Sequence, residues 1–379
     1  MTNYAKLLTA SIALPLAVGG GFAATATTAS KPPIVIGVEA PLTGDQASVG
    51  KDIARGVQLA VNQANARGGI GGRKMKLVRL DDKASPDLAS AMIEKAKAKK
   101  VVAVVGPYNS SVGQINLPLY IAAGIFPVEM TSTDSTIGLS STVQPKTEQI
   151  APVEIDYIAS TNAKSVAMLV DPSAYTQGIA DSVEAGLVSK GISVTTAPVS
   201  AGANDYSAEI TQALSSNPDL VYVSTYYPEG ASIAKALNSA NPTSTKCLMG
   251  LANVDPAFVT AVGVNATKRC VFDGIPESAQ FPGKAAKTYV ANYKKAFGIS
   301  PGVWGIFSYD SAQILFTAVK STSGTDYQPM FDAVRNTKAF AGATGSITID
   351  PSTGVRLDVP LFIMTVNKAG KFIVSPSGA

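Results

Sequence analysis

Hydroxyl and aromatic side chains recur in this sequence at the points where apolar, strand-like runs end. Four segments share this chemistry: 106–111 (GPYNSS), 131–136 (TSTDST), 171–175 (DPSAY) and 225–229 (TYYPE). Backbone N–H groups at the start of a helix favour an anion, and serine hydroxyls add further donors. Tyrosine rings supply apolar walls, so together these groups could bury a small molecule while fixing its polar end. Taken singly, a serine that caps a helix or a tyrosine that packs in the core is the simpler explanation.

The residues required for common kinds of catalysis are missing. The sequence has no histidine, which excludes Ser-His-Asp and Cys-His arrangements and removes the commonest zinc ligand. Segment 44–52 (GDQASVGKD) resembles a phosphate-binding loop, but five residues separate its glycines and Asp52 stands where Ser or Thr would hold magnesium. The adjacent Asp81 and Asp82 are expected to cap backbone groups or pair with lysines. We therefore expect no catalytic residue, no metal site and no cofactor.

Strand-like and helix-like patterns alternate along the chain. The predicted strands lie at 33–38, 74–80, 101–105, 124–130, 165–170, 192–199, 219–225 and 247–250. Strands that are apolar on both faces and separated by helices predict an α/β fold of parallel sheets covered on both sides by helices. Such sheets bind ligands beyond the carboxyl ends of their strands, where the four hydroxyl-rich segments would lie.

The composition is typical of a compact globular protein. Hydrophobic residues make up 46% of the 379 residues and charged residues 15%, so the length predicts two packed lobes. The net charge is +4, and the dense basic run 95–100 falls on a helical pattern. This run is better explained by a solvated helix face than by a nucleic-acid surface, so we expect no nucleic-acid partner.

The amino terminus and the cysteines indicate export. Segment 1–26 has a lysine, an apolar core at 7–18 and an A-x-A cleavage site, which predicts a signal peptide. No cysteine follows the apolar core, so we expect a periplasmic protein without a lipid anchor. Cys247 and Cys270 are the only cysteines, and they could form a disulfide in an oxidising compartment or remain two buried thiols.

Three longer stretches carry a resemblance to a known family: 34–82, 101–114 (VVAVVGPYNSSVGQ) and 221–230 (VYVSTYYPEG). They resemble the periplasmic solute-binding proteins that serve branched-chain amino-acid ABC transporters. The resemblance extends from about Pro33 into the last strands. It implies the type I periplasmic binding protein fold, with two doubly wound parallel-sheet lobes, a three-stranded hinge and a ligand trapped between closing lobes. The lobes would be 31–147 plus 277–355 and 148–276 plus 356–379.

The resemblance also assigns ligand contacts. The first-lobe positions whose backbone and serine hydroxyl grip a ligand carboxylate are Tyr108, Asn109, Ser110 and Ser111. The first-lobe half of the site is completed at Thr131 and Thr133. Its second-lobe aromatic positions are Tyr175 and Tyr226. Val49 occupies a first-lobe position that often carries a ring against the ligand side chain, and its small size leaves more room.

The sequence departs from the family where amino-acid binders place an acid for the ligand ammonium. By alignment this position is Ala252 or its neighbour Asn253. A buried ammonium without a counter-charge is costly. Asp255, Glu129 and Glu229 are the candidates to replace the acid, although Glu229 is well placed to begin a helix instead. A branched-chain or related amino acid is the family default, and an aromatic carboxylate or a small amide is the alternative that needs no acid.

The resulting functional prediction is a monomeric binding protein, not an enzyme. It would capture a small-molecule ligand by lobe closure and present it to an ABC transporter permease in the inner membrane. One alternative is a sensor module that reports the ligand to a membrane receptor. Another is an enzyme that reuses the cleft, which would require convergent acids or an acid and a lysine facing the ligand.

Overall fold

The computed structural model describes residues 1–2, 31–203 and 205–375, so the predicted signal peptide lies almost entirely outside the described residues. The strands are β1 Ile34–Ala40, β2 Met75–Asp81, β3 Ala103–Val105, β4 Phe126–Glu129, β5 Ser141–Thr142, β6 Ser165–Val170, β7 Ser193–Pro198, β8 Leu220–Ser224, β9 Lys246–Met249, β10 Val271–Gly274, β11 Phe340–Gly342, β12 Gly345–Ile347, β13 Phe362–Val366 and β14 Phe372–Val374. The helices are α1 Ala47–Ala66, α2 Ala89–Ala98, α3 Ser110–Ala122, α4 Thr147–Ser160, α5 Ala174–Ser189, α6 Ser207–Leu214, α7 Tyr227–Ala240, α8 Pro256–Val262, α9 Val264–Thr267, α10 Gly283–Phe297, α11 Gly305–Thr322 and α12 Tyr327–Arg335.

Two large sheets organise these elements. The first sheet has the strand order β2-β1-β3-β4-β5, and all its strand pairs are parallel. The second has the order β14-β13-β10-β9-β8-β6-β7, in which β13 pairs antiparallel with β10 and β14 pairs antiparallel with β13. β11 and β12 form a separate antiparallel pair. The predicted α/β class with parallel sheets is confirmed.

The strands and helices form where the sequence is apolar on the faces that pack. β8 (LVYVS) is buried at every position, as expected for a central strand covered on both sides. α1 turns Ile53 and Val57 inward and packs along α11. The two helices approach so closely that a Cβ at Gly56 would lie 2.0 Å from the carbonyl oxygen of Gly305.

The chain passes between the two sheets three times. It leaves the first sheet after β5, returns after β10 with helices that pack beside that sheet, and joins the second sheet again after β12. α4 packs beside α5 and β10, whereas α10 and α11 pack on α1. This order agrees with two lobes built from discontinuous segments, while the predicted boundaries at 147, 276 and 355 stay predictions.

Three further features bear on the sequence interpretation. Cys247 and Cys270 form a disulfide with an S–S distance of 2.04 Å, at the starts of the neighbouring strands β9 and β10. Asp81 accepts the backbone N–H groups of Leu42 and other residues, and Asp82 accepts that of Ala84. Neither acid forms an ion pair within the described residues. In the part of the chain that the structure describes, every helix is too short or too polar to cross a bilayer.

Candidate functional site

A small cavity lies between residues that follow strands of the first sheet and residues that follow strands of the second. Its lining residues are Tyr108, Ser110, Ser132, Gln144, Tyr175, Tyr226, Leu251, Ala252 and Trp304. Its free space is only about 10 Å³, which is room for about one water molecule, so a larger ligand requires the two walls to move apart. The carboxyl ends of both sheets therefore contribute to one site.

The first-sheet wall presents hydroxyl groups. Ser110 begins α3, and the side chain of the preceding Asn109 forms no cap, so it leaves the first N–H groups of the helix to other partners. The Ser110 Oγ accepts a hydrogen bond from the Thr133 amide at 3.2 Å, so its own proton is available to donate. The Ser132 Oγ likewise accepts from Gln144 Nε2 at 3.3 Å. This wall can donate several hydrogen bonds to one anionic group.

Four aromatic rings form the rest of the enclosure. The Tyr108 ring lies 5.7 Å from Trp304 and 6.3 Å from Tyr226, centroid to centroid. The Tyr226 ring lies 6.0 Å from Tyr175. Burial raises the pKa of Tyr108, Tyr175 and Tyr226 above the ordinary tyrosine value, so each phenol keeps its proton and acts as a donor.

Hydrogen bonds join loops of the two sheets around the cavity. The Ser111 Oγ accepts from the Ala174 amide at 3.0 Å, and the Tyr227 Oη donates to the Asp45 carbonyl oxygen at 2.6 Å. The Ser48 Oγ donates to the Asp255 Oδ1 at 3.2 Å. Because each bond links elements of different sheets, a hinge motion that separated the sheets would break all of them.

A buried ion pair supports the loop that carries Ser132. Lys146 Nζ lies 3.1 Å from Glu129 Oε2, and both side chains are at most 1% exposed. The same Nζ donates to the Thr136 Oγ1 at 2.7 Å and to the Thr133 carbonyl oxygen at 3.2 Å. The loop between β4 and β5 is thereby tied to the start of α4, which fixes the position of the hydroxyl wall.

The structure places five of the predicted ligand contacts on the cavity wall: Tyr108, Ser110, Tyr175, Tyr226 and Ala252. The other five, Asn109, Ser111, Thr131, Thr133 and Asn253, lie beside the cavity, and their direct contact with a ligand stays a prediction. Asn109 donates to Gln46 Oε1 at 2.8 Å, and Asn253 donates to the Thr225 carbonyl oxygen at 3.0 Å. Val49 is buried in the hydrophobic core and is not among the lining residues.

Four lining residues were missed by the sequence interpretation: Ser132, Gln144, Leu251 and Trp304. Ser132 lies between the two threonines that were chosen, and the alternation of an extended chain turns it to the opposite side. Thr131 instead donates to Glu129 in the buried network. Trp304 is the only tryptophan of the sequence and immediately precedes α11, but no local pattern connected it with residues almost two hundred positions earlier.

The candidate replacements for the missing acid are all engaged elsewhere. Glu129 pairs with Lys146, Asp255 accepts from Ser48, and Glu229 accepts from the Gly202 amide at 3.0 Å. Among the described residues that line the cavity, none carries an ionisable acid or base other than a tyrosine phenol. The wall therefore offers a ligand hydrogen bonds and apolar contact, and its described lining residues offer no carboxylate or cationic side chain.

This chain resembles known proteins in sequence. A family model described as periplasmic binding protein matches residues 33–371. The chain is 28% identical over 323 residues to a Leu/Ile/Val-binding protein from Rhizobium johnstonii, an alignment that covers 83% of this chain and 87% of that protein.

Two solved structures show the same fold. A leucine-binding protein from Thermotoga maritima has a TM-score of 0.82 at 24% identity, covering 91% of this chain and 99% of the other. A solute-binding protein of an ABC transporter from Rhodopseudomonas palustris, in complex with 3,4-dihydroxybenzoic acid, has a TM-score of 0.79 at 23% identity, covering 90% and 95%. At these identities the likeness establishes the architecture alone.

Proposed function

This chain belongs to the family of periplasmic binding proteins that includes the Leu/Ile/Val-binding proteins of ABC transporters, and on that premise we propose that it captures a small carboxylate-bearing ligand, a branched-chain or related amino acid, between its two sheets. The observation that carries the proposal is the cavity itself. It sets the hydroxyls of Ser110 and Ser132 opposite the rings of Tyr175 and Tyr226.

The proposed mechanism is binding by closure. The ligand carboxylate accepts hydrogen bonds from Ser110, Ser132 and the first turn of α3, while the lobes are apart. Closure then brings the second-sheet tyrosines over the ligand and forms the bonds of Ser111 to Ala174 and of Tyr227 to the opposite loop. Water is excluded, which strengthens the hydrogen bonds to the carboxylate. A permease that contacts both lobes would recognise this closed form.

An aromatic carboxylate is the second candidate ligand. Four rings enclose the cavity, and its described lining residues offer no acid for an ammonium group. One neighbour of the same fold is described as a complex with 3,4-dihydroxybenzoic acid, whereas another is described as leucine-binding. Both ligands carry a carboxylate, so the hydroxyl wall serves either of them.

Replacing Ser110 with alanine is expected to weaken carboxylate binding by about 10- to 150-fold, because a hydrogen bond to a charged group contributes about 1.5–3 kcal/mol. The measurement is calorimetric titration of the purified protein with leucine and with 3,4-dihydroxybenzoate, after a thermal-shift screen has identified which one binds. Ser189→Ala, at the exposed end of α5, is the control and should leave the Kd unchanged. An unchanged Kd in Ser110→Ala would contradict the proposed carboxylate site.

Lowering the pH from 7 to 5 is expected to tighten the binding of a carboxylate without an amino group, such as 3,4-dihydroxybenzoate, about tenfold. Burial, together with the nearby charge of Asp52, raises the pKa of Asp255 from 3.8 to about 6, although hydrogen bonds from the Ala257 N–H and the Ser48 hydroxyl offset part of the shift. In an open form water would reach this carboxyl and return its pKa to the ordinary value. The closed form therefore takes up a proton as the pH falls through 6, and protonation favours closure.

The pH dependence can be tested with Asp255→Asn. The side-chain oxygen of asparagine can also accept the Ala257 N–H, so α8 keeps its N-terminal cap while the titrating group is removed. Titrations at pH 7, 6 and 5 should show the rise in affinity in the unmodified protein and a flat profile in the variant. A rise of equal size in both proteins would exclude Asp255 as its source.

A further inference from the structure

A group of buried polar atoms without partners lies behind the tyrosine wall of the cavity. Glu154 on α4 and Asp273 on β10 are both 0% exposed. Glu154 Oε2 accepts a hydrogen bond from Tyr222 Oη at 2.7 Å. Glu154 Oε1, both carboxyl oxygens of Asp273 and the Tyr175 Oη have no hydrogen-bond partner among the described residues. Buried polar atoms are normally paired, so this concentration indicates that a polar group belongs there.

The two carboxyl groups influence each other electrostatically. Burial raises the pKa of Glu154, and the neighbouring Asp273 raises it further. Burial also raises the pKa of Asp273 to about 8, although the adjacent amide of Gly274, whose geometry falls short of a hydrogen bond, offsets part of this. Asp273 therefore holds its proton at neutral pH unless a positive charge arrives, and burial favours the protonated form of Glu154 as well. The other titratable groups facing them are Tyr175 and Tyr222, and β13 brings no charged side chain.

The carboxyl pair is adjacent to the cavity. Tyr175 lines the cavity with its ring, and its phenol is close enough to Glu154 and Asp273 for both to raise its pKa after burial has done so. Gly250 immediately precedes the lining residue Leu251, and a Cβ at Gly250 would lie 3.5 Å from Glu154 Oε1. The pair therefore lies near the phenol of Tyr175 and the backbone of Gly250, which border the cavity.

We propose that Glu154 and Asp273 bind the cationic amino group of the ligand, and that the ligand is therefore an amino carboxylate. This inference rests on the proposed function, which places the ligand carboxylate at Ser110. An ammonium group has three donors, and the pair offers three unpartnered carboxyl oxygens together with the Tyr175 Oη. The acid that the sequence lacks at Ala252 is thus supplied by residues of α4 and β10.

The test uses ligands that differ only by an amino group: leucine against 4-methylpentanoate, and 4-aminobutyrate against butyrate. In the unmodified protein, either leucine or 4-aminobutyrate should bind at least tenfold more tightly than its partner without the amino group. Glu154→Gln and Asp273→Asn should each remove at least fivefold of that advantage while changing the Kd of the partner less than threefold. Asp156→Asn, an exposed acid on the same helix, is the matched control and should keep the full advantage.

A second readout needs no variant and covers the case in which either one fails to fold. At pH 7 the pair must lose a proton to accept an ammonium group, so calorimetry in buffers of different ionisation enthalpy should show up to one more proton released with the amino ligand than with its partner. Equal proton release and equal Kd within each pair would overturn this inference, while carboxylate binding at Ser110 would stand. If no carboxylate binds at all, both proposals fail.

Discussion

Lys146→Met is expected to lower the free energy of unfolding by about 3–5 kcal/mol, because it removes one partner of a buried ion pair and leaves the other charge uncompensated. Lys146 and Glu129 are at most 1% exposed and lie 3.1 Å apart. Methionine fills most of the same volume but cannot donate to Thr136 or to the Thr133 carbonyl oxygen. Urea unfolding followed by circular dichroism would measure the loss.

The double variant Lys146→Met/Glu129→Gln should be more stable than Lys146→Met alone, because it no longer buries an unpaired carboxylate. Lys190→Met is the matched control: its partner Asp156 lies 3.7 Å away with a side chain that is 77% exposed. A surface pair of this kind contributes about 0–1 kcal/mol. If Lys146→Met cost no more than Lys190→Met, the buried pair would not hold the loop.

The same ion pair connects stability with binding. The loop that Lys146 ties down carries Ser132, which lines the cavity, and Thr133, whose amide donates to Ser110. A loosened loop would let the hydroxyl wall adopt several arrangements. The entropic cost of ordering this wall on binding would reduce the affinity for a carboxylate. We therefore expect Lys146→Met to weaken ligand binding even under conditions in which the variant is fully folded.

The sequence predicted the sheets and the edge at which the site lies, because both depend on local patterns. Apolar runs such as 101–105 identify strands, and the carboxyl ends of parallel strands meet by geometry. The side chains that reach the cavity were harder to predict. The choice between Thr131 and Ser132 depends on the rotation of an extended segment, which is set by the buried contacts of Glu129.

Other parts of the site depend on contacts between distant residues. Trp304 contacts Tyr108 only because α11 packs on α1. The sequence around neither residue indicates this packing. Glu154 and Asp273 lie on elements more than a hundred residues apart, and each looks like an ordinary surface acid in sequence. Their burial results from the fold, which brings α4, β8 and β10 together.

Gly106→Ala is expected to destabilise the protein by about 3 kcal/mol or more and to displace the turn that carries Tyr108 and Ser110. Gly106 has φ +117°, a conformation that side chains other than glycine rarely adopt, which costs about 1–3 kcal/mol. A Cβ there would also lie 2.2 Å from the carbonyl oxygen of Glu39, in a backbone that cannot move without shifting β1. Relieving this overlap costs about a further 1–3 kcal/mol.

Gly124→Ala separates the two contributions. Gly124 has φ +68° and follows the same helix, α3, but a Cβ there would meet no atom within 4 Å. This variant should cost only about 1 kcal/mol and leave ligand affinity unchanged, since it lies at the end of α3 away from the cavity. Gly106→Ala should instead lose both stability and affinity, because relief of its overlap moves Tyr108 and Ser110 relative to Tyr226 across the cavity. Equal effects of the two substitutions would mean that the strand end tolerates a side chain, and that β1 does not fix the position of the hydroxyl wall.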